Sequence, residues 1–349
     1  MRRAAMAVAV AALAIGLSAP AAAGRTAKTP SAGGVQVEHD LTYREVGGDE
    51  LTLDAYLPVG NGLRPGVMVI YGGGWILGSK EFSAPLAEML AQQGFAAFAM
   101  NYRLAPQHPF PAAVDDVRAS VAWVRDHASD FGVDPARIGA IGGSAGGHLA
   151  AMLATSGQGP LDRGSRVATA VSWAGPMDLR PDEYPPDSQP YLRAFLDCLF
   201  SPCQEQTIVA ASPISHVDPS DASLLIANGD SDMLVPTDQA TRMSAALDRA
   251  GVAHELLVVP NAGHDERLIP PLIEPSIKFL REKLGDVEPN PTPGLTVGRG
   301  GSGVLVPAIA VGVAALVVVA VLVALWRRRR GRRRRDLSGG LSGSSSPPL

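Results

Sequence analysis

The sequence predicts an α/β fold in which a mostly parallel, eight-stranded sheet is covered by helices on both faces. Short apolar runs alternate with amphipathic helical patterns between residues 35 and 285, which is typical of parallel sheets with crossover helices. The run at 66–71 is continuously apolar, as in a strand buried on both faces. The turn residues Gly47-Gly48-Asp49 lie between the first two strands, which predicts an opening hairpin.

Hydrophobic periodicity places the individual elements. Eight strands are expected at 41–46, 51–57, 66–71, 95–99, 137–141, 167–173, 223–228 and 254–259. Five helices are expected at 84–93, 112–127, 144–155, 237–250 and 271–284. Residues 177–219 interrupt the alternation with Pro- and Asp-rich sequence and one amphipathic piece at 191–199. They are predicted to form an insertion over the carboxyl edge of the sheet.

The two cysteines of the chain, Cys198 and Cys203, both lie in this insertion. In an oxidising exterior, two cysteines this close together can close a small loop. A disulfide is therefore predicted, which would contribute about 2 kcal/mol and rigidify a local segment rather than the whole fold. A metal site would need more ligands than this pair, and the sequence offers none nearby.

Both ends of the chain carry targeting patterns. Residues 1–23 combine two arginines, a short apolar run and a tail of small residues, which predicts a cleaved signal peptide rather than an uncleaved anchor. Residues 286–303 resemble a flexible linker. Residues 304–326 are uncharged and apolar, and eight arginines follow directly, which predicts a single transmembrane helix with a basic cytoplasmic tail at 327–349. A sorting tail without its usual Leu-Pro-x-Thr-Gly motif and a buried core helix are the alternatives.

The near-neutral net charge of −4 conceals an acidic region between the signal and the span. Without the two arginines of the signal, the eight of the tail and Asp336, 20 basic and 33 acidic residues remain, a net charge of about −13. This charge argues against nucleic acid as a partner. The arginine block itself is better placed to interact with anionic lipid next to the membrane.

The most informative local pattern is Gly142-Gly143-Ser144-Ala145-Gly146, which lies where an apolar strand runs into an Ala-rich helix. A strand-to-helix turn this sharp leaves no room for large side chains beside the central residue, so small residues must flank it. Ser144 is therefore predicted to be a nucleophile with an exposed hydroxyl. Because small-residue turns are common in parallel sheets, the prediction depends on catalytic partners elsewhere in the chain.

An activated serine needs a general base and an acid that orients the base, and the expected chain order here is Ser, Asp, His. His264 lies in the loop after the last strand and is predicted to be the base. The other histidines after Ser144 fall on a helix, in the insertion or inside a strand: His148, His216 and His254. Asp230 and Asp232 follow the penultimate strand. Asp232 is predicted to be the acid, because Asp230 is better placed to cap the turn.

Negative charge on a reacting carbonyl oxygen needs rigid donors. Gly72-Gly73-Gly74 follow the third strand and offer unhindered amides beside Ser144, and Ala145 offers another. A phosphate loop would end in Gly-Lys-Ser/Thr, whereas Trp75-Ile-Leu-Gly follows here. An oxyanion hole is therefore the predicted use of this glycine loop.

Four segments together resemble the hormone-sensitive-lipase-like and feruloyl-esterase-like (BD-FAE) carboxylesterases of the α/β-hydrolase fold. They are Tyr71-Gly-Gly-Gly-Trp75, Asn101-Tyr-Arg-Leu-Ala-Pro106, Phe110-Pro-Ala-Ala-Val-Asp115 and Gly142-Gly-Ser-Ala-Gly-Gly-His-Leu-Ala150. The resemblance spans about 35–284. It implies Ser144, Asp232 and His264 as the triad and the amides of Gly73, Gly74 and Ala145 as the oxyanion hole. No cofactor or metal is implied.

The chain departs from the family at Tyr71, where the family usually has a histidine that braces the glycine loop. The oxyanion donors are backbone amides, so the hole is expected to tolerate this change. The second and third segments, including Asp115, are expected to brace loops beneath the site. Trp75 is expected to pack or to form a pocket wall.

The leading hypothesis is a membrane-tethered extracellular serine carboxylesterase whose substrates are small-molecule, polysaccharide or lipid esters. An amidase, formamidase or peptidase could use the same residues. A surface binding module that has lost catalysis is the alternative from a different class, although no triad residue is missing. The sequence indicates neither the natural ester nor the oligomeric state.

Overall fold

A computed structural model of the protein describes residues 29–30, 34–60 and 62–289. Its sheet has the strand order β1-β2-β3-β5-β4-β6-β7-β8-β9. The strands are β1 Thr29–Pro30, β2 Val35–Val46, β3 Asp49–Pro58, β4 Arg64–Ile70, β5 Ala96–Met100, β6 Val133–Gly143, β7 Thr169–Trp173, β8 Ser223–Gly229 and β9 His254–Val259. The pairs β1–β2, β2–β3 and β3–β5 are antiparallel. The remaining pairs are parallel. The predicted eight strands are confirmed, with β1 as a two-residue addition at the edge.

Two strands, β2 and β6, begin at least four residues earlier than predicted. β2 starts at Val35 rather than at residue 41, and its register against β3 shifts after Glu38 and again after Thr42. β6 starts at Val133 rather than at residue 137, with a register shift against β4. Such irregularities break the alternation of apolar and polar residues. The sequence pattern therefore detected only the part of each strand that follows its first register shift.

The helices are α1 Ala84–Gln92, α2 Ala112–Asp126, α3 Ala128–Phe131, α4 Ala145–Ser156, α5 Gln189–Phe195, α6 Glu205–Ala211, α7 Asp238–Ala250 and α8 Pro270–Leu284. Short 3-10 turns lie at Lys80–Phe82, Pro181–Glu183 and Pro213–His216. All five predicted helices are confirmed. The sequence analysis did not predict α3 or α6, whose single or double turns are too short for a helical period to be recognised.

Alternate residues of the central strands enter two separate apolar cores. Met68 and Ile70 of β4 pack in the core under α2, α4 and α7. Val67 and Val69 pack in the core under α1 and α8. This alternation confirms that helices cover both faces of the sheet.

The predicted insertion is confirmed between β7 and β8, where it contains α5 and α6. It lies on the same face as α4 and α7, because Leu192 and Phe195 of α5 belong to the first core. The predicted disulfide between Cys198 and Cys203 is present directly after α5, with the two Cα atoms 5.0 Å apart.

The membrane predictions concern residues that the structure does not describe. Within the described ranges, no helix is long and apolar enough to cross a bilayer. The predicted signal peptide at 1–23, most of the linker, the span at 304–326 and the basic tail all lie outside the described residues.

Candidate active site

Ser144 occupies the turn between β6 and α4 and has the unusual backbone angles φ 56° and ψ −123°. A residue other than glycine in such a conformation costs about 1–3 kcal/mol, so the surrounding structure must hold it. The Ser144 amide donates to the carbonyl of Trp173 at 2.7 Å, and its carbonyl accepts from the amide of His148 at 2.9 Å. These two bonds fix the backbone of the turn on both sides of the serine.

The glycines around Ser144 are required by close backbone contacts. A Cβ atom on Gly146 would lie 2.1 Å from the carbonyl oxygen of Ile70, and one on Gly142 would lie 2.5 Å from the carbonyl group of Gly146. No side chain fits at either distance. The prediction that small residues must surround the serine is confirmed at Gly142 and Gly146, whereas a Cβ atom on Gly143 would approach no atom closer than 3.9 Å.

His264 and Asp232 come together at the carboxyl ends of β9 and β8. Nδ1 of His264 lies 2.8 Å from Oδ2 of Asp232. The carboxyl group of Asp232 is completely buried and the imidazole is 9% exposed. Since an ionised carboxylate only accepts hydrogen bonds, Nδ1 carries the hydrogen and Nε2 is left as the basic nitrogen.

The Asp232 carboxylate is oriented by its own loop. Its Oδ1 accepts hydrogen bonds from the amides of Leu234 at 2.8 Å and Val235 at 2.9 Å. Two backbone donors stabilise the buried charge and hold the other oxygen toward the imidazole. Asp232 can therefore fix the ring orientation of His264.

Asp230 makes different contacts. Its Oδ1 accepts from the amide of Asn261 at 2.8 Å and from the hydroxyl of Ser231 at 2.9 Å. Asp230 thus ties the loop after β8 to the loop that carries His264. The structure pairs the histidine with Asp232, as the sequence analysis expected, and gives Asp230 a turn-stabilising position.

Ser144 reaches the same edge of the sheet, because β6, β8 and β9 are parallel and their carboxyl ends lie on one side. Among the described residues, no hydrogen bond joins the Ser144 hydroxyl to His264. Catalytic hydrogen bonds are often long without substrate and shorten in the complex. The structure therefore joins the acid to the base directly and places the serine at the same edge.

The glycine loop lies directly against the serine turn. A Cβ atom on Gly72 would be 2.8 Å from the carbonyl oxygen of Gly143 and 3.3 Å from Cβ of Ser144. Gly73 and Gly74 have φ angles of 117° and 60°, which favour glycine. The described residues contain no acceptor for the amides of Gly73 or Gly74. The amide of Ala145 is the first of α4 and has no partner within the helix.

Tyr71, the departure from the family pattern, braces this loop together with Tyr102. The hydroxyl of Tyr71 donates to the carbonyl of Tyr102 at 3.3 Å, and the hydroxyl of Tyr102 donates to the carbonyl of Tyr71 at 3.1 Å. The rings stack with centroids 4.3 Å apart. A reciprocal tyrosine pair thus stabilises the start of the loop, a contact that the sequence did not reveal.

The buried carboxylate beneath the site is Asp116 rather than Asp115. Asp116 is fully buried and binds the side chains of Arg103 and Arg44 at 2.9 and 2.7 Å. The side chain of Asp115 is 45% exposed and lies 3.8 Å from Arg118. The expectation for Asp115 is therefore corrected. The two residues are adjacent on α2, and only the orientation of the helix decides which one faces inward.

These features define an α/β-hydrolase fold with a serine turn, a buried aspartate–histidine pair and a glycine loop at one edge of the sheet. The chain belongs to the BD-FAE family, whose family model matches residues 53–247, more than half of the chain. The expected family resemblance is confirmed.

Among curated relatives, esterase LipQ of Mycobacterium tuberculosis is 35% identical over 237 residues, covering 64% of this chain and 56% of LipQ. The probable carboxylic ester hydrolase LipM of the same organism is 34% identical over 188 residues, covering 51% of this chain and 44% of LipM. This chain therefore spans about half the length of these relatives.

Solved structures share the fold over most of the described residues. A truncated carbohydrate esterase from gut microbiota is 25% identical and has a TM-score of 0.64, covering 74% of this chain and 99% of that protein. Native esterase 2 of Thermogutta terrifontis is 27% identical with a TM-score of 0.61, covering 75% of this chain and 96% of that esterase.

Proposed function

We propose that this protein is a serine carboxylesterase with Ser144 as nucleophile, His264 as general base and Asp232 as the residue that orients the base. The observation that carries the proposal is the buried 2.8 Å hydrogen bond between His264 and Asp232 at the same sheet edge as the strained Ser144 turn. Relatives and structural neighbours named as esterases support the same reaction class.

The first half of the reaction forms an acyl-enzyme. Nε2 of His264 takes the proton from the Ser144 hydroxyl as Oγ attacks the ester carbonyl carbon. The carbonyl oxygen gains negative charge and accepts hydrogen bonds from the amides of Gly73, Gly74 and Ala145. When the tetrahedral intermediate collapses, His264 gives its proton to the alkoxide oxygen, and the alcohol leaves.

The second half releases the acid. His264 takes a proton from a water molecule, whose oxygen attacks the acyl carbon, and the same three amides stabilise the second intermediate. Collapse breaks the bond to Oγ, and the proton held by His264 returns to Ser144. Asp232 stays ionised throughout and stabilises the imidazolium in both halves.

Esters with short acyl groups are the proposed substrates. A Pseudomonas putida relative, 30% identical over 232 residues, is named ethyl acetate hydrolase. Esterase 2 of Thermogutta terrifontis has been solved with propionate and with butyrate bound. Both proteins point to small acyl groups as the first compounds to test on this chain.

The decisive experiment labels the purified protein with a fluorophosphonate probe and measures hydrolysis of p-nitrophenyl acetate and butyrate. Labelling and turnover are expected for the wild type and are expected to disappear in Ser144→Ala. Ser231→Ala, an exposed serine beside the acid, is the matched control and should retain both. Turnover that persists in Ser144→Ala would refute the assignment, and a folded wild type that neither labels nor turns over would favour a binding module.

The termini complete the proposal. We propose that residues 1–23 direct secretion and that the span at 304–326 anchors the enzyme outside the cell, with the arginine-rich tail inside. Support comes from the apolar and basic sequence patterns alone. A chain ending at residue 303 should appear in the medium, whereas the full chain should stay with membranes after alkaline extraction. Full-length protein released by that extraction would contradict the anchor.

A further inference from the structure

Trp75 sets the backbone at the end of the glycine loop. It is 2% exposed, and its φ of 60° lies in the left-handed region. Because this conformation is costly for tryptophan, the packing around the side chain must impose it. The Trp75 carbonyl also accepts from the amide of Ala105 at 2.9 Å. Whatever holds the indole therefore also determines where the neighbouring Gly74 amide points.

His148 holds one edge of that indole. It lies one turn after Ser144 on α4 and is fully buried. The indole Nε1 lies 3.1 Å from Nδ1 of His148, and Nε2 of His148 lies 2.8 Å from the carbonyl oxygen of Ala211. An indole nitrogen only donates, so Nδ1 is an acceptor and Nε2 carries the hydrogen. This neutral imidazole links the nucleophile helix to the glycine loop and to the insertion.

Helix α5 of the insertion covers the other side of the loop. The ring of Phe195 stacks on Trp75 with centroids 4.6 Å apart and contacts His148 edge-on at 5.5 Å.

At the other end of α5, Tyr191 packs so closely that a Cβ atom on Gly74 would lie 2.7 Å from its ring. The hydroxyl of Ser188, just before α5, donates to the carbonyl of Leu234 in the acid loop at 2.7 Å. The same helix thus touches both halves of the site.

The disulfide closes the chain directly after α5. A helix of seven residues is too short to be stable by itself, so its position depends on packing and on how its ends are tied. The amide of Cys198 donates to the carbonyl of Arg193 at 2.8 Å, which extends the last turn into the disulfide loop. Cys198 is buried in the same core as Phe195.

We propose that His148, Phe195 and the Cys198–Cys203 disulfide form a clamp that positions Trp75 and, through it, the oxyanion amides. His148 and Phe195 contact Trp75, and the disulfide follows the helix that carries Phe195. All are positioning residues, because they act through the loop and not on the substrate. The inference rests on the proposed esterase function, because its catalytic consequence is weaker stabilisation of the transition state. Loosening the clamp should lower kcat more than it changes KM, since the oxyanion hole acts on charge that develops during the reaction.

The test compares two identical substitutions in the full-length protein. Phe195→Leu loosens the clamp, and Phe279→Leu on α8 removes an equally buried ring from the core on the opposite face. We expect kcat for p-nitrophenyl acetate to fall about tenfold in Phe195→Leu, with KM changed less than about threefold, and to stay unchanged in Phe279→Leu. The double variant Cys198→Ser with Cys203→Ser should lower kcat about threefold. A reductant should cause the same loss in the wild type and should not lower kcat further in the double variant.

Hydrogen exchange supplies a measurement that does not need activity. The amides of Ile76 and Leu77 donate to the carbonyl of Gly73 at 3.1 and 3.2 Å, so their exchange reports whether the loop is closed. Exchange should accelerate in Phe195→Leu and in the double cysteine variant but not in Phe279→Leu. Unchanged exchange in Phe195→Leu would overturn the clamp, as would faster exchange with unchanged kcat. If the wild type hydrolyses no ester, the proposed function fails, and exchange alone still decides whether the clamp holds the loop.

Discussion

Asp232 is held by amides two and three residues further along the chain, whereas Trp75 is held by a histidine 73 residues away. The acid and base side of the site is built from two short loops whose polar groups satisfy each other locally. The glycine-loop side depends on side chains from α4, from the loop after β5 and from the insertion. The Asp232–His264 pair is thus supported mainly by the two loops that carry it, and the glycine loop is supported by tertiary packing.

This difference predicts how substitutions on the two sides should affect catalysis and stability. Changes on the acid and base side should remove catalysis while leaving the fold intact, because few distant contacts depend on those residues. Changes on the glycine-loop side should affect rate and stability together, because the same side chains pack the core and position the amides.

The largest effect is expected from Asp232→Asn. The asparagine oxygen can still accept hydrogen bonds from the amides of Leu234 and Val235. Its NH₂ group, however, faces Nδ1 of His264 and favours the imidazole tautomer in which Nε2 carries the hydrogen. We expect kcat to fall about 10⁴-fold with little change in thermal stability. Asp230→Asn is the control, and it should retain activity within about threefold because it can still bind the amide of Asn261. Comparable losses in the two variants would remove the distinction between them.

Gly74→Ala tests the other side. The new methyl group on residue 74 would lie 2.7 Å from the ring of Tyr191, and the φ of 60° at this position is itself unfavourable for alanine. The loop must therefore move. We expect kcat to fall about 100- to 1000-fold, as for the loss of an oxyanion donor, and Tyr191→Ala in the same chain to restore part of it.

The control for this change is Gly251→Ala. Its φ is 72°, but an added Cβ meets nothing within 4 Å. It should cost about 1 kcal/mol of stability and leave kcat unchanged. A catalytic loss in Gly251→Ala similar to that in Gly74→Ala would show that backbone strain alone, rather than the position of the loop, explains the result.

Burial lowers the pKa of His148 to about 4, which predicts how the glycine-loop side responds to acid. The folded value lies below the usual 6.5, so between pH 6.5 and 4 the unfolded chain binds the proton more readily and stability falls as pH falls. The free energy of unfolding should lose up to about 3 kcal/mol over this range through His148 alone.

Urea unfolding at pH 7, 5.5 and 4.5 measures this loss. Because the pH dependence of stability sums over many groups, the wild type is compared with His148→Gln, which should show a shallower decline. Equal declines in the two proteins would show that His148 does not contribute.

The smallest effect is expected from Tyr71→Phe. The change removes the hydroxyl that donates to the carbonyl of Tyr102 and accepts from the amide of Tyr102 at 3.4 Å. It keeps the stacked rings and the return bond from the Tyr102 hydroxyl. Stability should fall by about 1 kcal/mol and kcat by a few-fold. Tyr56→Phe on β3 is the control, because it also removes the hydroxyl of a tyrosine. Its kcat is expected to stay at the wild-type value. A Tyr71→Phe enzyme with wild-type kcat and stability would show that stacking alone braces the loop.

Features set by local sequence could be predicted well. The strand-to-helix turn at Ser144 and the Cys198–Cys203 pair follow from residues close together in the chain. The choice of Asp232 over Asp230 followed from their places in a single turn. The predictions were poorer where distant packing decides. The early start of β2 depends on bulges against β3, and the inward orientation of Asp116 rather than Asp115 depends on how α2 packs.

The sequence by itself determined the fold class, the order of the elements and the candidate catalytic residues, because hydrophobic periodicity and turn chemistry are local properties. The sequence also predicted the glycine loop beside the serine turn, and the pairing of β4 with β6 in the structure accounts for that position. Only the tertiary structure showed that Tyr102, His148 and Phe195 hold that loop, since these contacts join segments far apart in the chain. Such contacts arise from packing in three dimensions, and no local pattern in one sequence specifies them.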